Sequence, residues 1–182
     1  RRVLFRSVAG YASFGTEPTD KELFFRWVTL GALSPVMRTH HGKLAQANWQ
    51  WEHDAESEAH FLQWTRFHAA LWPYLWQLAQ DPELPLMRPL ALHYPDFAPS
   101  WTRKDQFLLG DRLLVAPIVE QGKSQRTVEL PPGAWWPLAG GAQVSGGVPL
   151  AVEASLTQIP VFVPEGALLP MLPDEGLRAF SE

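Results

Sequence analysis

Residues 19–42 read TDKELFFRWVTLGALSPVMRTHHG, and the order of signals in this stretch decides the fold. Thr19-Asp20-Lys21-Glu22 has the form of a capping box, with the Thr19 hydroxyl capping the Glu22 amide and the Glu22 side chain reaching back. A helix is predicted to start there. Leu23, Phe24, Trp27, Val28 and Gly31 follow at helical spacing, which predicts a core-facing stripe closed by a C-terminal glycine. Pro35 blocks continuation, so Leu33 to Thr39 is predicted to be extended. Extended backbone alternates its side chains, which sends Arg38 and His40 to one side of the strand end and Thr39 to the other.

Downstream, Asp54, Glu56 and Glu58 complement the dipole of a second helix that opens near Asp54. Phe61, Trp64, His68, Leu71, Leu75 and Leu78 then form one apolar face, and Pro73 is expected to kink it. Proline divides the chain: Pro18 and Pro35 are the two in the first 72 residues, and the other fifteen fall between Pro73 and Pro173. Beyond Gln80 the pattern shortens into strand-like pieces at Leu90 to Tyr94, Phe107 to Leu109, Arg112 to Pro117, Arg126 to Leu130, Leu150 to Glu153 and Gln158 to Val163. Pro-Pro-Gly and Gly-Gly breaks separate several of them, as in an all-β sandwich, and Gly140 to Gly147 is predicted as a hairpin loop. The boundary is placed near residues 80 to 88.

The 182 residues carry 46% apolar side chains, 15 Lys and Arg against 19 Asp and Glu, and no cysteine. That composition belongs to a globular protein with a sizeable core. A net charge of −4 without a basic stripe argues against a nucleic-acid partner. The longest uncharged run, residues 130–152, holds four prolines and five glycines, which no membrane-spanning helix of that length would contain. The absence of cysteine removes disulfides, thiolate zinc sites and cysteine nucleophiles, and a cytoplasmic location is expected. Arg1 to Ser7 continues no later pattern and equals the translation of AGA CGT GTG CTC TTC CGA TCT, a common sequencing adapter. The natural sequence is therefore expected to begin at Val8.

Chemistry must come from carboxylates, His, Ser or Arg. Met37 to Gly42 reads either as a polar-ligand site, with Arg offering a fixed fork of donors and His a donor or acceptor, or as a charged surface turn. His53, His60 and His68 lack the spacing of a helical zinc site, so no metal is expected and His68 reads as a core histidine. No Gly-x-Ser-x-Gly elbow and no phosphate-cradling glycine loop occurs. Asp20 and Asp54 sit at helix starts, and Asp96, Asp105 and Asp111 fall in turns, so none stands out as a catalytic acid. Trp72, Trp76, Trp135 and Trp136 read as core, whereas Trp49 and Trp51, in the loop before the second helix, are candidates for stacking on a sugar ring.

Nine segments in order resemble glycoside hydrolase family 31: Val8-Ala9-Gly10-Tyr11, Glu22 to Trp27, Gly31 to His40, Pro73-Tyr74-Leu75, Leu86 to Leu90, Gln106 to Asp111, Leu114 to Pro117, Leu130 to Trp135 and Ile159 to Val163. The resemblance implies an α/β plus all-β chain: residues 8–84 the C-terminal end of a (β/α)8 TIM barrel, its last helix, strand and helix, and residues 85–182 a β-sandwich. Strand eight would carry Arg38 and His40 to the barrel mouth, where such barrels place their active sites. Family members are retaining α-glycosidases using two aspartates, one attacking the anomeric carbon and one protonating the leaving oxygen. Both are expected upstream of Val8, so no catalytic residue lies in this chain and it should be inactive by itself.

Arg38-Thr39-His40, Asn48-Trp49-Gln50-Trp51, Asp54-Ala55-Glu56 and Leu90 to Tyr94 look closer to the sulfoquinovosidases than to the α-glucosidases, where Arg-Asn-His is commoner. His41 stands where an acidic residue is expected, and the residues that bind the sulfonate would lie upstream. The resemblance implies substrate binding by Arg38, His40, Trp49 and Gln50, a carbohydrate substrate and no cofactor. α-Glucosidase or α-xylosidase activity is the alternative within the family. From another class, a non-catalytic sugar-binding sandwich would use Trp135 and Trp136 as its platform.

Overall fold

The computed structural model describes residues 8, 18–40 and 46–173; Arg1 to Ser7, His41 and Gly42 lie outside the described residues. Helix α1 (Lys21–Ala32) starts one residue later than the capping box predicts, because Asp20 is the cap and its carboxylate accepts from the Leu23 amide at 2.7 Å. A carboxylate outcompetes a hydroxyl at the positive end of the helix. The backbone of Thr19 is tied to the return segment, its amide donating to Asn48 Oδ1 at 3.0 Å and its carbonyl accepting from the Trp49 amide at 2.9 Å. Glu22 does not reach back; it accepts from the Gly122 amide at 2.8 Å. Phe24, Phe25, Val28 and Ala32 form the buried face, and Leu23, expected in the stripe, is exposed.

Gly31 does not end α1. A Cβ there would stand 2.9 Å from Val8 Cγ2 and 3.6 Å from Met37 Cγ, so the glycine marks where the helix crosses closely over the extended chain. Val8 pairs in parallel with Thr39, and its amide donates to the Arg38 carbonyl at 2.8 Å. Two parallel extended segments joined through α1 make a βαβ crossover, the unit a (β/α)8 barrel repeats.

Helix α2 (Ala55–Ala70) opens at Asp54 as predicted, with its carboxylate accepting from the Ser57 amide at 2.7 Å. The helical path breaks at Leu71 and resumes as α3 (Trp72–Ala79), with Pro73 in its first turn. At the break the Leu172 amide donates to the Ala70 carbonyl at 2.8 Å. The predicted apolar face holds: Leu71 and Leu75 are buried, Trp64 and Leu78 pack beside them, and His68 Nδ1 lies 3.0 Å from the Ala32 carbonyl. Trp72 and Trp76 do not belong to that core. They stand 53% and 56% exposed, stacked on each other at 5.7 Å, because Tyr74 and Leu75 occupy the inner face of the same short helix.

The remaining chain forms two antiparallel sheets. One has the order β1 (Met87–Arg88), β2 (Phe107–Leu109), β3 (Leu113–Val115), β8 (Val161–Pro164), β5 (Ala134–Pro137), β6 (Val144–Ser145); the other pairs β4 (Gln125–Glu129) with β7 (Pro149–Glu153). Leu108, Leu114 and Phe162 point to one face and pack with Val128, Leu130 and Trp135 between the sheets. Leu109, Leu113, Val115 and Val161 point to the other and pack against Leu33, Leu71, Tyr74 and Leu75 of the helical part. The larger sheet is thus covered on both faces, and each fully buried leucine contributes on the order of 2 kcal/mol. The expected end of a barrel followed by a β-sandwich is what the chain builds.

Two local expectations fail. Leu90 to Tyr94 is not a strand; Pro89, with φ at −63°, leads into a 3-10 turn whose Leu90 carbonyl accepts from the His93 and Tyr94 amides. Part of the expected loop Gly140 to Gly147 is strand β6, paired with β5 through Trp135 and Val144. A short helix, α4 (Pro99–Thr102), joins the 3-10 turn to β2.

Candidate functional site

Residues 36–40 run parallel to the segment at Val8, and α1 returns antiparallel to both, so the N-termini of α1 and α2 stand at the outgoing end of this strand. Met37 packs with Val8 and the α1 phenylalanines. Alternation then turns Val36 and Arg38 the other way, and both are exposed. Arg38 lines a cleft of about 210 Å³ together with Trp27, Lys104 and Asp105. His40 follows on the same side and is half-buried.

The chain returns to this strand end through Asn48 to His53. Asn48 is buried and receives the Thr19 amide, which ties the return to the start of α1. Trp49 donates Nε1–H to Ser57 Oγ at 2.9 Å, stacks on His53 at 4.8 Å and carries Lys21 Nζ 5.7 Å above its ring. Gln50 is 1% exposed; its amide N–H donates to His53 Nδ1 at 3.1 Å and its Nε2 to the His40 carbonyl at 3.5 Å. Lys21 bridges the helix starts, 2.8 Å from Asp54 and 2.5 Å from Glu56. The Lys21 ammonium and the Ser57 amide together pull the Asp54 carboxyl down to about 2, and both carboxylates raise Lys21.

Of the four predicted site residues, Gln50 and His40 are brought into contact, Trp49 forms the adjoining wall, and Arg38 stands two positions back along the strand. Asn48 and Lys21, which fix the return segment, stand in the sequence only as members of the Asn48-Trp49-Gln50-Trp51 run and of the capping box, with no role assigned to either. Four of the described aspartates are in structural roles. Asp20 and Asp54 cap helices, Asp105 pairs with Arg126 at 2.7 Å, and Asp111 lies 3.5 Å from the Tyr74 hydroxyl. Among the described residues no group of three His, Asp or Glu side chains is placed to hold a metal ion. Nor is any helix among them long and apolar enough to cross a membrane.

Trp135 is excluded as a sugar platform because it is 1% exposed and donates Nε1–H to the Pro131 carbonyl at 2.8 Å. Trp136 alone, on the outer face of β5, does not make the paired surface that reading requires.

Comparison with known proteins agrees with this geometry. The glycosyl hydrolases family 31 TIM-barrel domain matches residues 7–78, and the glycosyl hydrolase family 31 C-terminal domain matches residues 83–169. The sulfoquinovosidase of Escherichia coli K12 is 41% identical over 158 residues, and that of Agrobacterium fabrum 37% over 159. Each match takes in 85% of this chain, which spans only 23% and 24% of those relatives. Among solved structures, a family 31 sulfoquinovosidase from E. rectale with an aza-sugar inhibitor superposes with a TM-score of 0.81 at 28% identity, over 95% of this chain and 26% of that one. A family 31 dextranase of Flavobacterium johnsoniae complexed with glucose gives 0.77 at 36% identity, over 84% and 19%.

Proposed function

Because the chain belongs to glycosyl hydrolase family 31, we propose that it is the end of the catalytic barrel and the sandwich of a retaining α-glycosidase acting on sulfoquinovosides. The observation that supports this reading is the extended segment at residues 36–40, bridged in parallel to Val8 through Thr39, whose alternation sets Arg38 opposite Met37 near the outgoing strand end, where such barrels bind their substrates. The two most similar relatives reported above support the sulfoquinovoside over an α-glucoside or α-xyloside. An α-glucosidase and an α-xylosidase stand lower, at 29% and 28% identity.

In this reading His40 donates or accepts a hydrogen bond at a ring hydroxyl of the cleaved sugar, and Arg38 holds the neighbouring carboxylates by its fork of donors. Trp49 and Gln50 complete the same constellation. Contacts to the ring tighten as it flattens toward an oxocarbenium-like transition state, so they contribute more to turnover than to ground-state binding. The nucleophile and the acid are supplied by residues outside this chain, and the chain alone is inactive.

Two measurements test the reading. The purified chain should show no release of nitrophenol from a nitrophenyl α-sulfoquinovoside above a buffer control. In the complete enzyme, His40→Ala should lower kcat/KM by about 10²-fold or more, roughly 3 kcal/mol of transition-state stabilisation, with an unchanged thermal melt. An unaltered kcat/KM would show that the site lies elsewhere.

A further inference from the structure

A glutamine side chain withdrawn from water carries a cost unless its amide is used, since an unpaired buried polar group costs about 1–3 kcal/mol. Gln50 is 1% exposed, and its Oε1 has no partner. Its Nε2 reaches the His40 carbonyl at 3.5 Å, across ten residues of sequence. Nothing about the return segment leaves this amide free to move. The Thr19 carbonyl holds the Trp49 amide on one side, Ser57 holds the Trp49 indole, and His53 Nδ1 takes the Gln50 amide N–H. The starts of α1 and α2, joined by Lys21 and Asp54, therefore reach the strand end through the Gln50 side chain.

The carbonyl carbon of residue 40 is bonded to the Cα from which the imidazolylmethyl side chain branches, so holding that carbonyl restricts the backbone torsion that aims His40. We propose that Gln50 is a positioning residue: its buried amide donates to the His40 carbonyl and fixes the direction in which the imidazole leaves the strand. The proposal rests on the reading that His40 contacts the sugar. Misplacing a substrate-contacting group by about 1 Å can cost about 10²-fold in rate, and a lost aiming bond falls within that range. Because the aim matters most where the ring contact tightens, the loss falls on kcat rather than on KM.

The experiment is steady-state kinetics of the complete enzyme with Gln50→Met, which keeps length and volume and removes the donor, and with Gln50→Glu. Gln50→Met should lower kcat about ten-fold with KM changed less than about two-fold. Gln50→Glu can donate to the carbonyl only while protonated. Its activity relative to wild type should therefore be near one at low pH and fall as pH rises through the carboxyl's pKa, which burial raises. A merely structural glutamine would lose activity in Gln50→Glu only in step with a falling thermal melt, whereas a positioning role lowers kcat at pH values where the melt is unchanged, and this readout stands even if Gln50→Met folds poorly. Wild-type kcat in Gln50→Met, or a Gln50→Glu ratio flat in pH, overturns the proposal while leaving His40 in place if His40→Ala is still impaired. A fully active His40→Ala overturns both.

Discussion

Gly110 shows how much one position can decide. Its φ is +64°, and a Cβ there would meet the Tyr74 hydroxyl at 2.1 Å and both Leu78 methyls at 2.7 Å, so alanine is excluded by backbone and by space at once. The space is taken because Tyr74 donates to the Leu109 carbonyl at 2.7 Å and accepts from the Arg112 amide at 3.1 Å, closing the β2–β3 turn onto α3. Gly110→Ala is expected to cost more than about 2 kcal/mol in urea unfolding. Tyr74→Phe should cost about 1–3 kcal/mol through the two backbone groups it strands. The double variant should be less damaged than the sum, since Phe removes one of the clashing atoms; strict additivity would refute this picture. Burial pushes the Tyr74 phenol up to about 12, against 10.0 for the free group. An acid held protonated in the folded state gives full stability below the unfolded pKa and loses it above. The melting temperature should therefore decline from about pH 10 upward, less so in Tyr74→Phe.

At the scale of elements, α2 is secured at its start and along its buried side by groups whose support is lost on acidification in two separate windows. Asp54, drawn down to about 2 from 3.8 by Lys21 and Ser57, secures the start at every pH above the unfolded value, and the support goes as pH falls from about 4 toward 2. His60 lies on the buried side, its ring stacked on Phe25 at 4.1 Å and Nε2 3.2 Å from the Phe25 carbonyl. Burial lowers its pKa from 6.5, so the unfolded chain takes up the proton first and stability falls as pH drops below about 6.5. His93, lowered by burial and by Arg88, acts in the same window. His60→Gln should flatten the melting profile between about pH 7 and 5, and Asp54→Asn should flatten it below about pH 4; a slope identical to wild type in either window would exclude that group. The elements themselves were readable where one period dominates. Phe61 to Leu78 kept helical spacing and folded as read, whereas Ala134 to Pro137 was given no strand and became β5, because its pairing with β8 lies far along the chain, beyond any local window. The strand end behaves likewise. Alternation alone placed Arg38 and His40 on one side, but the closure of Gln50 onto His40 depends on a return path that no periodicity describes.

For the molecule as a whole, the decisive fact is that helices and sandwich share a core. Among the described residues, Leu109, Leu113, Val115 and Val161 are covered on that face by Leu33, Leu71, Tyr74, Leu75 and the residues packed around them. Polar ties follow the same seam: Arg26 donates to the Lys123 and Ser155 carbonyls at 2.8 Å, and Trp64 to the Thr157 carbonyl at 3.2 Å. Unfolding should therefore be one cooperative step, with far-ultraviolet circular dichroism and tryptophan fluorescence giving coincident urea midpoints; two separated midpoints would mean that the halves fold independently. The boundary near residues 80 to 88 is a change of secondary structure, and the packing runs straight across it. For anyone recombining such genes, a chimera joined between Ala79 and Met87 would marry a foreign helix pair to a sheet face shaped by Tyr74 and Leu75. Exchange of the sandwich between relatives succeeds only if α3 is inherited along with it.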